Sequence, residues 1–376
     1  MSFLITMLPS LPMLPMLPTL RQREAESTSV AAPSPHRHKL LTTFLTHQNY
    51  LVHARIGKGT FGIVTRASHK QSGKAVAIKT LEASPSINPR DLREVQFFEG
   101  VAPHPSIVFI YEMFIDSLTH QVNFVLELMD FTLLDLINSR KGHGLSLEAV
   151  VSISSQILKG IAHMHGSDYA HRDIKPENIL LRYDKAINGG QRMVAKLADF
   201  GLSRKIISDG FNSIWTGYVA TRWYRAPEQL LRTEGHGLAL DIWAFGTVLV
   251  ELCNLRPVFP GKNIQHMISL QLATLGSPSV SSIGGPWIPT DPKSNIALLR
   301  GDVVGVQYYI HSERLRILEK MAVGCLQWDP RRRPCAESLL HYIHAHTVES
   351  VVDKQNTKIA VRSSMPVHMG RCHSIG

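Results

Sequence analysis

The sequence predicts an α+β protein in which short strands come first along the chain and a long helix follows. The clearest strand-like segments are Leu51–Ile56, Ala75–Lys79 and Phe124–Met129. The helix is predicted over residues 145–166, where apolar residues such as Ile157 recur at helical spacing. A length of 376 residues suits one two-lobed domain or two separate domains.

The composition is that of an ordinary globular protein, with 44% hydrophobic and 19% charged residues. It excludes collagen, a coiled coil and a wholly disordered chain. The formal net charge of +10 suggests an anionic partner. The candidates are nucleic acid, a membrane surface and a phosphate ligand. The 4 cysteines are far apart and form no CxxC pair. We therefore expect neither a disulfide framework nor a zinc site. A reducing compartment is the simplest interpretation of this cysteine usage.

Residues 2–20 are apolar and almost uncharged, as a signal peptide or a membrane span would be. However, a proline falls at every third position from Pro9 to Pro18, and prolines at that density break a membrane helix. A secretory signal requires a basic residue before its apolar run, and no basic residue precedes this one. We expect residues 1–47 to form a disordered low-complexity extension, and for residues 2–20 an apolar polyproline II docking peptide is the alternative.

A glycine-rich turn, Gly57–Gly62, follows the first predicted strand and has the spacing G-x-G-x-x-G. Because glycine lacks Cβ, the backbone of such a turn can approach a phosphate closely. The same spacing occurs in dinucleotide-binding folds, in which a helix follows the turn. Here the residues after the turn, Ile63–Thr65, are all β-branched, and they favour a β-hairpin instead.

The predicted strand Ala75–Lys79 ends in a lysine, although buried strands rarely carry an unpaired ammonium group. Lys79 therefore requires an anionic partner. Glu94, within the predicted helical stretch Arg90–Phe98, is one candidate, and the phosphates of a nucleotide are another.

Further motifs follow in the middle of the chain. His171–Asn178 reads HRDIKPEN, Asp199–Gly201 reads DFG, and Ala226–Glu228 reads APE. Together with the glycine-rich turn and the VAIK sequence that ends at Lys79, these motifs resemble those of eukaryotic protein kinases, in the family's order. The resemblance covers about residues 48–346, and coincidence is a poor explanation for so many ordered motifs.

The resemblance implies a bilobal protein-kinase fold. Its parts would be a small N-lobe (48–128) with a five-stranded β-sheet and one regulatory helix, a large, mainly helical C-lobe (129–346), and a C-terminal tail (347–376). The segments 184–195 and 277–303 are rich in Gly, Ser, Pro and Asn, and we expect them to be insertions or loops. Two architectural contacts are also implied: Glu228 with Arg333 as a brace, and Asp241 as an anchor of the catalytic loop.

The chemistry that the resemblance implies is transfer of the γ-phosphate of ATP with the help of Mg²⁺. Asp173 would accept the proton of the substrate hydroxyl, and Lys175 would neutralise the transferring phosphate. Asp199 would bind Mg²⁺, with Asn178 on a second ion. The glycines would cover the phosphates, and the backbone of residues 127–129 would bind adenine. The full set expected to bind ATP is Ile56, Gly57, Lys58, Gly59, Thr60, Phe61, Gly62, Val64, Ala77, Lys79, Glu94, Leu126, Glu127 and Met129.

The segment Tyr218–Glu228 resembles the kinase group that contains MAP kinases and cyclin-dependent kinases, which usually prefer proline directly after the phosphorylated Ser/Thr. Thr221, with Lys175, indicates a serine/threonine kinase and is expected to belong to the catalytic residues. Thr216-Gly217-Tyr218 resembles the doubly phosphorylated lip of MAP kinases, which implies an upstream dual-specificity kinase and phosphatases as partners. The arginines expected to meet the lip phosphates are Arg90, Arg93, Arg172 and Arg204 for Thr216, and Arg222 and Arg225 for Tyr218.

Two departures leave the subfamily open. Glu177 stands where MAP kinases usually have Ser, and the acidic docking patch expected after the last MAP kinase helix is poor. A divergent MAP kinase is the first interpretation, and a MAK-like or cyclin-dependent-like kinase is the second. Outside this group the alternatives are a non-catalytic scaffold with a kinase fold, although every catalytic position is filled, and a nucleic-acid-binding protein. With the kinase interpretation we expect a monomer that acts on protein substrates carrying Ser/Thr-Pro sites. We expect it in the cytoplasm, with the nucleus as a second location. We expect no nucleic-acid partner and no membrane span.

Overall fold

The structure is a computed structural model, and it describes residues 43–44, 49–59, 62–81, 88–185, 191–206, 222–231, 237–278, 305–306, 309–310 and 315–346. Several positions named above lie outside these ranges: Thr60, Phe61, Thr216, Tyr218, Thr221, most of the N-terminal extension, nearly all of segment 277–303 and the C-terminal tail.

A six-stranded sheet forms the N-lobe. In chain order its strands are β1 (Thr43–Phe44), β2 (Tyr50–Gly59), β3 (Gly62–His69), β4 (Ala75–Leu81), β5 (Ile110–Ile115) and β6 (Val122–Glu127). They lie side by side in the order β1-β5-β6-β4-β3-β2, and every neighbouring pair is antiparallel except β1 with β5. The expectation of five strands was wrong by one. The added strand β1 lies inside the segment expected to be a disordered extension, and two residues are too few to carry a strand pattern.

Among the described residues of the N-lobe one helix is present, α1 (Arg93–Gly100), which follows a 3-10 turn at Pro89–Asp91. Its N-cap residue, Leu92, makes no side-chain capping hydrogen bond. The helix is held instead by burial of one face, on which Val95 and Phe97 are almost completely removed from solvent. The same face carries Glu94, which is also buried. The predicted helical stretch 90–98 is therefore confirmed, with its true helix beginning slightly later.

Helices build the C-lobe. Those that the structure describes are α2 (Leu133–Ser139), α3 (Leu147–His165), α4 (Pro227–Leu230), α5 (Ala239–Asn254), α6 (Ile264–Leu275), α7 (Arg316–Cys325) and α8 (336–346). The long helix predicted over 145–166 is confirmed as α3, which begins where the Ser146 side chain accepts a hydrogen bond from the backbone N–H of Ala149. Nearly every residue of α5 is buried, so this helix forms the centre of the C-lobe core. No helix within the described ranges is long and apolar enough to cross a membrane.

Five further strands within the described ranges form two smaller sheets. They are β7 (Phe131–Thr132), β8 (Tyr169–Ala170), β9 (Ile179–Lys185), β10 (Gln191–Leu197) and β11 (Arg204–Lys205). β9 pairs antiparallel with β10 from Ile179↔Leu197 to Lys185↔Gln191. The expectation of a loop over 184–195 was therefore wrong for most of that segment. The turn-forming residues between the strands dominated its composition, although the arms of a hairpin need only a few residues of strand pattern each.

A buried ion pair braces the C-lobe, as the resemblance implied. The guanidinium of Arg333 donates from Nη1 to Glu228 Oε1 at 2.5 Å and from Nη2 to Glu228 Oε2 at 2.8 Å. Because both side chains are almost completely buried, the two parallel hydrogen bonds offset the cost of removing both charges from water.

Candidate active site

The glycine-rich turn lies at the tip of the β2–β3 hairpin. Gly57 pairs with Val64 and Gly59 with Gly62 across the antiparallel strands, which confirms the hairpin and rejects the dinucleotide-type turn. A Cβ atom on Gly62 would lie 2.0 Å from the carbonyl oxygen of Thr80 on β4. Gly62 is therefore required by the close approach of two strands, independently of any ligand.

Lys79 lies on β4, paired with Val64 of this hairpin in the same sheet, and the predicted contact with Glu94 is present. Its Nζ is 2.7 Å from Glu94 Oε2 and 2.8 Å from Asp199 Oδ1. Burial alone would lower the pKa of Lys79, but the two carboxylates outweigh it and raise that pKa. The lysine therefore remains an ammonium ion between α1 and the DFG motif.

Asp199 begins the DFG motif in the left-handed backbone region, with φ of 63°. Burial acts to raise the pKa of its carboxyl group, but Lys79, His171 and Lys175 together hold that pKa below its usual value. The carboxylate is therefore ionised, as a metal ligand must be. A non-glycine residue in this backbone region is uncommon and is concentrated at functional sites.

The HRD segment forms a compact set of hydrogen bonds. Lys175 Nζ lies 2.8 Å from Asp173 Oδ2. The side-chain amide of Asn178 donates from Nδ2 to the Asp173 backbone oxygen at 2.8 Å and to its Oδ2 at 2.9 Å. The backbone N–H of Ala198 donates to Asn178 O at 2.9 Å, which places the DFG motif beside this set. The Asp173 carboxylate thus faces both a cation and an amide.

Asp241, on α5, anchors the HRD segment from below, as the resemblance implied. Its carboxylate accepts the backbone N–H of His171 at 2.7 Å and that of Arg172 at 2.8 Å. It also contacts His165 Nε2 at 3.0 Å. Arg172 has φ of 70°, so these hydrogen bonds hold a backbone conformation that a side chain disfavours.

The donor set suits Mg²⁺. Because Asn178 Nδ2 is occupied by Asp173, its amide oxygen is the atom left for a ligand. Together with a carboxylate oxygen of Asp199 it offers hard oxygen ligands, which Mg²⁺ prefers in combination with water and substrate phosphates. In the described part of the chain no three acidic, His or Cys side chains gather into a metal cage.

The segment predicted to bind adenine joins β6 to β7 between the lobes. Its Glu127 side chain is buried and points away from solvent, where it accepts the Phe109 N–H at 2.6 Å and contacts Arg182 Nη1 at 3.3 Å and Lys196 Nζ. Most of the other predicted ATP residues that the structure describes lie on the strands β2, β3, β4 and β6, with Ala77 paired to Leu126 across the sheet, whereas Glu94 lies on α1. Ile56 is 51% exposed on β2.

Three of the arginines expected to bind lip phosphates influence one another. Burial, and then the charges of Arg93 and Arg204, lowers the pKa of Arg172 to about 10. Burial and Arg204 likewise lower the pKa of Arg93. Arg90 lies exposed in the 3-10 turn before α1. Positive charge is therefore concentrated at one place, as a site for an added phosphate requires.

Arg222 and Arg225, expected to meet phosphorylated Tyr218, are both half-buried. Between them Trp223 donates from Nε1 to the Gly261 oxygen at 3.2 Å, and Tyr224 OH donates to Glu251 Oε2 at 2.9 Å. The lip residues themselves lie outside the described ranges, so the pairing of these arginines with phosphates stays a prediction.

Sequence reasoning missed the contacts behind Glu127. The signal was available in Lys196, because it stands in a strand between the buried residues Ala195 and Leu197. The reasoning that assigned a partner to Lys79 applies equally to this lysine.

The known proteins that this chain resembles are protein kinases. A family model described as the protein kinase domain matches residues 50–344. Similar proteins include the meiosis induction protein kinase of Saccharomyces cerevisiae, 35% identical over 287 residues, which are 70% of this chain and 44% of that protein. The MAPK/MAK/MRK overlapping kinase of Homo sapiens is 34% identical over 236 residues, which are 62% of this chain and 53% of that protein. Mitogen-activated protein kinase 6 of Arabidopsis thaliana is 32% identical over 315 residues, which are 81% of this chain and 74% of that protein. The chain therefore spans about half the length of the first two relatives.

Proposed function

Because the chain belongs to the protein kinase family, within the group that holds MAP kinases and cyclin-dependent kinases, we propose that it phosphorylates protein substrates on serine or threonine with ATP. The observation that carries the proposal is the completeness of the site. Lys79 contacts Glu94 and Asp199, and Asp173 contacts Lys175 and Asn178. A kinase-fold scaffold has no need of these charged groups, which are costly to bury.

Each group has a role that follows from its contacts. Phosphoryl transfer asks a protein mainly for positioning and charge neutralisation. Lys79 offers an ammonium ion to the phosphates, held in place by Glu94. The Asp173 carboxylate accepts the proton of the attacking hydroxyl, and Lys175, 2.8 Å from it, neutralises charge on the transferring group. Mg²⁺, held by Asp199 and Asn178, would supply further neutralisation of the phosphate oxygens.

We also propose that substrates carry proline directly after the phosphorylated residue, and that phosphorylation of Thr216 and Tyr218 activates the enzyme. The mutual effect of Arg93, Arg172 and Arg204 supports this proposal, because concentrated positive charge favours a phosphate and repels itself without one. The similarity to mitogen-activated protein kinases supports it as well. An upstream dual-specificity kinase and opposing phosphatases would then control the lip.

The second candidate is a kinase of the MAK-like or cyclin-dependent-like type. The relatives named as a meiosis induction kinase and as a MAPK/MAK/MRK overlapping kinase favour it, and so does Glu177 in place of the usual Ser. Mass spectrometry of the peptide around Thr216 and Tyr218, isolated from cells, separates the two. Phosphate on both residues supports the MAP kinase-like proposal, and phosphate on Tyr218 alone contradicts dual phosphorylation.

The catalytic proposal is tested with radiolabelled ATP and a Ser-Pro peptide, with an otherwise identical Ser-Ala peptide as the control for proline preference. Equal labelling of both peptides would contradict proline-directed action without affecting the kinase assignment. A scaffold would label neither.

A further inference from the structure

A network of charged side chains contacts the segment that connects the two lobes. We call Glu127–Asp130, the last residue of β6 and the chain that leads from it to β7, the hinge segment. The Glu127 carboxylate accepts hydrogen bonds from Arg182 Nη1 on β9 at 3.3 Å and from Lys196 Nζ on β10. It also accepts the backbone N–H of Phe109 at 2.6 Å, and the Glu127 N–H donates to Phe109 O at 2.9 Å. Both the side chain and the backbone of Glu127 are therefore fixed.

The rest of the hinge segment is tied to the same strand. The Asp130 N–H donates to Leu181 O at 2.9 Å, and Asp130 Oδ2 accepts the N–H of Tyr183 at 3.0 Å. The Met129 sulfur lies 4.0 Å from Arg182 Nη1. Three of the four residues of the hinge segment, Glu127, Met129 and Asp130, thus contact β9.

The cations of this network are not equivalent. The Lys196 side chain is only 11% exposed, whereas that of Arg182 is 31% exposed. Arg182 is also shared with Asp184, whose Oδ1 lies 2.7 Å from its Nε and whose Oδ2 lies 3.3 Å from its Nη2. Lys196 contacts Glu127, which is itself only 7% exposed at its side chain. The buried carboxylate therefore depends mainly on Lys196 for its charge balance.

We propose that Lys196, assisted by Arg182, is a positioning residue for nucleotide binding: through Glu127 it fixes the hinge backbone that meets the adenine. This inference rests on the proposed kinase function and specifies what holds that part of the site. Without the Lys196 ammonium the Glu127 carboxylate must find water or move toward Arg182. Either change displaces the backbone of the hinge segment while Asp173, Lys175 and Asp199 keep their own contacts.

The experiment compares Lys196→Met with the wild type in two measurements, the dissociation constant for ADP with Mg²⁺ and the steady-state constants for ATP. We expect nucleotide affinity to fall and the KM for ATP to rise on the order of tenfold, with kcat within about twofold of wild type. Arg192→Met is the matched control, since it removes an exposed cation from the same strand, and both constants should stay at the wild-type values. Lys196→Arg keeps a positive charge at this position, so it should retain most of the wild-type affinity for ADP. An unchanged KM in Lys196→Met, or a fall confined to kcat, would overturn the proposal.

A second test determines whether Lys196 acts through Glu127. In a Glu127→Gln background the carboxylate is absent, so the further change Lys196→Met should cost almost no additional affinity. Equal losses from Lys196→Met in both backgrounds would show that the lysine does not act through Glu127. Failure of the kinase proposal has a different signature, because the wild type would then transfer no phosphate from ATP to a peptide, whatever its affinity for ADP.

Discussion

The ring of Phe97 on α1 stacks on the ring of Phe200 in the DFG motif, with centroids 3.9 Å apart and planes inclined by only 9°. Both side chains are almost completely buried. Glu94 lies on the same helix as Phe97, and Asp199 precedes Phe200, so the stack connects the two carboxylates that hold Lys79. A displacement of α1 therefore changes the surroundings of the DFG motif.

Replacing Phe97 with Ala should separate these elements. We expect a loss of about 3 to 5 kcal/mol in the free energy of unfolding, from the lost ring and the cavity it leaves. We also expect kcat to fall beyond what the unfolded fraction explains, because Glu94 and Asp199 lose their common support. Urea unfolding and assays well below the unfolding temperature measure the two effects. The control is Tyr183→Ala, which truncates an aromatic ring that is 47% exposed. An unchanged kcat in folded Phe97→Ala would show that the stack has no part in catalysis.

The glycines of the β2–β3 hairpin should respond differently to the same substitution. A Cβ on Gly62 would lie 2.0 Å from Thr80 O, whereas one on Gly57 would lie 3.7 Å from the Val64 Cβ, an ordinary contact. Gly62→Ala should therefore lower the melting temperature, and Gly57→Ala should not. If Gly57 approaches a phosphate, Gly57→Ala should weaken ATP binding in a protein of normal stability. Thermal unfolding and nucleotide titration of both variants provide the data, and equal melting temperatures would refute the strand-contact argument.

The Glu228–Arg333 brace should be important for stability. Arg333→Ala would leave the Glu228 carboxylate buried without its main partner, and we expect a cost of about 3 to 5 kcal/mol. Arg331→Ala is the matched control, because Arg331 pairs with Asp329 through a side chain that is 62% exposed. Its effect on stability should be small, since water screens exposed pairs. Chemical denaturation compares the two, and similar losses would contradict the assigned difference in burial.

Glu251 should make stability depend on pH. Burial is the main cause that raises the pKa of its carboxyl group to about 7, with the Glu177 carboxylate adding to it and the hydrogen bond from Tyr224 opposing it. A carboxyl group with a raised pKa holds its proton more tightly in the folded state, so its contribution to stability falls as the pH rises from about 4.5 to about 7. Glu251→Gln should remove this contribution. The variant should gain stability relative to wild type across that range in denaturant titrations, and a constant difference would contradict the shift.

The sequence predicted the parts of this protein whose chemistry is local. The hairpin, the helix α3 and the need of Lys79 for an anionic partner each follow from spacing and residue type over short stretches, and the resemblance to protein kinases implies that this partner is Glu94. The strand β1 and the contacts of Lys196 could not be found in that way. β1 is two residues long and gains its hydrogen bonds from β5, far along the chain. Lys196 meets Glu127 only after the hairpin β9–β10 packs behind the hinge segment.

The segment 184–195 shows the opposite error. Its turn-forming composition predicts a loop even over residues that pair as strands, such as Asp184 with Arg192. Turn residues mark where a chain reverses, but they do not say how far the flanking strands continue. Cross-strand partners decide that length, and a single sequence does not identify them.

The most direct test of the kinase proposal is phosphate transfer from labelled ATP with Mg²⁺ to a Ser-Pro peptide, by wild-type protein phosphorylated at Thr216 and Tyr218 and by Asp173→Asn. Asparagine keeps the size of the side chain but cannot accept the hydroxyl proton as the carboxylate does. We expect wild type to label the peptide and Asp173→Asn to lose the signal by about 100-fold or more while still binding ATP. No labelling by the phosphorylated wild type, or labelling that survives in Asp173→Asn, would contradict the proposed function.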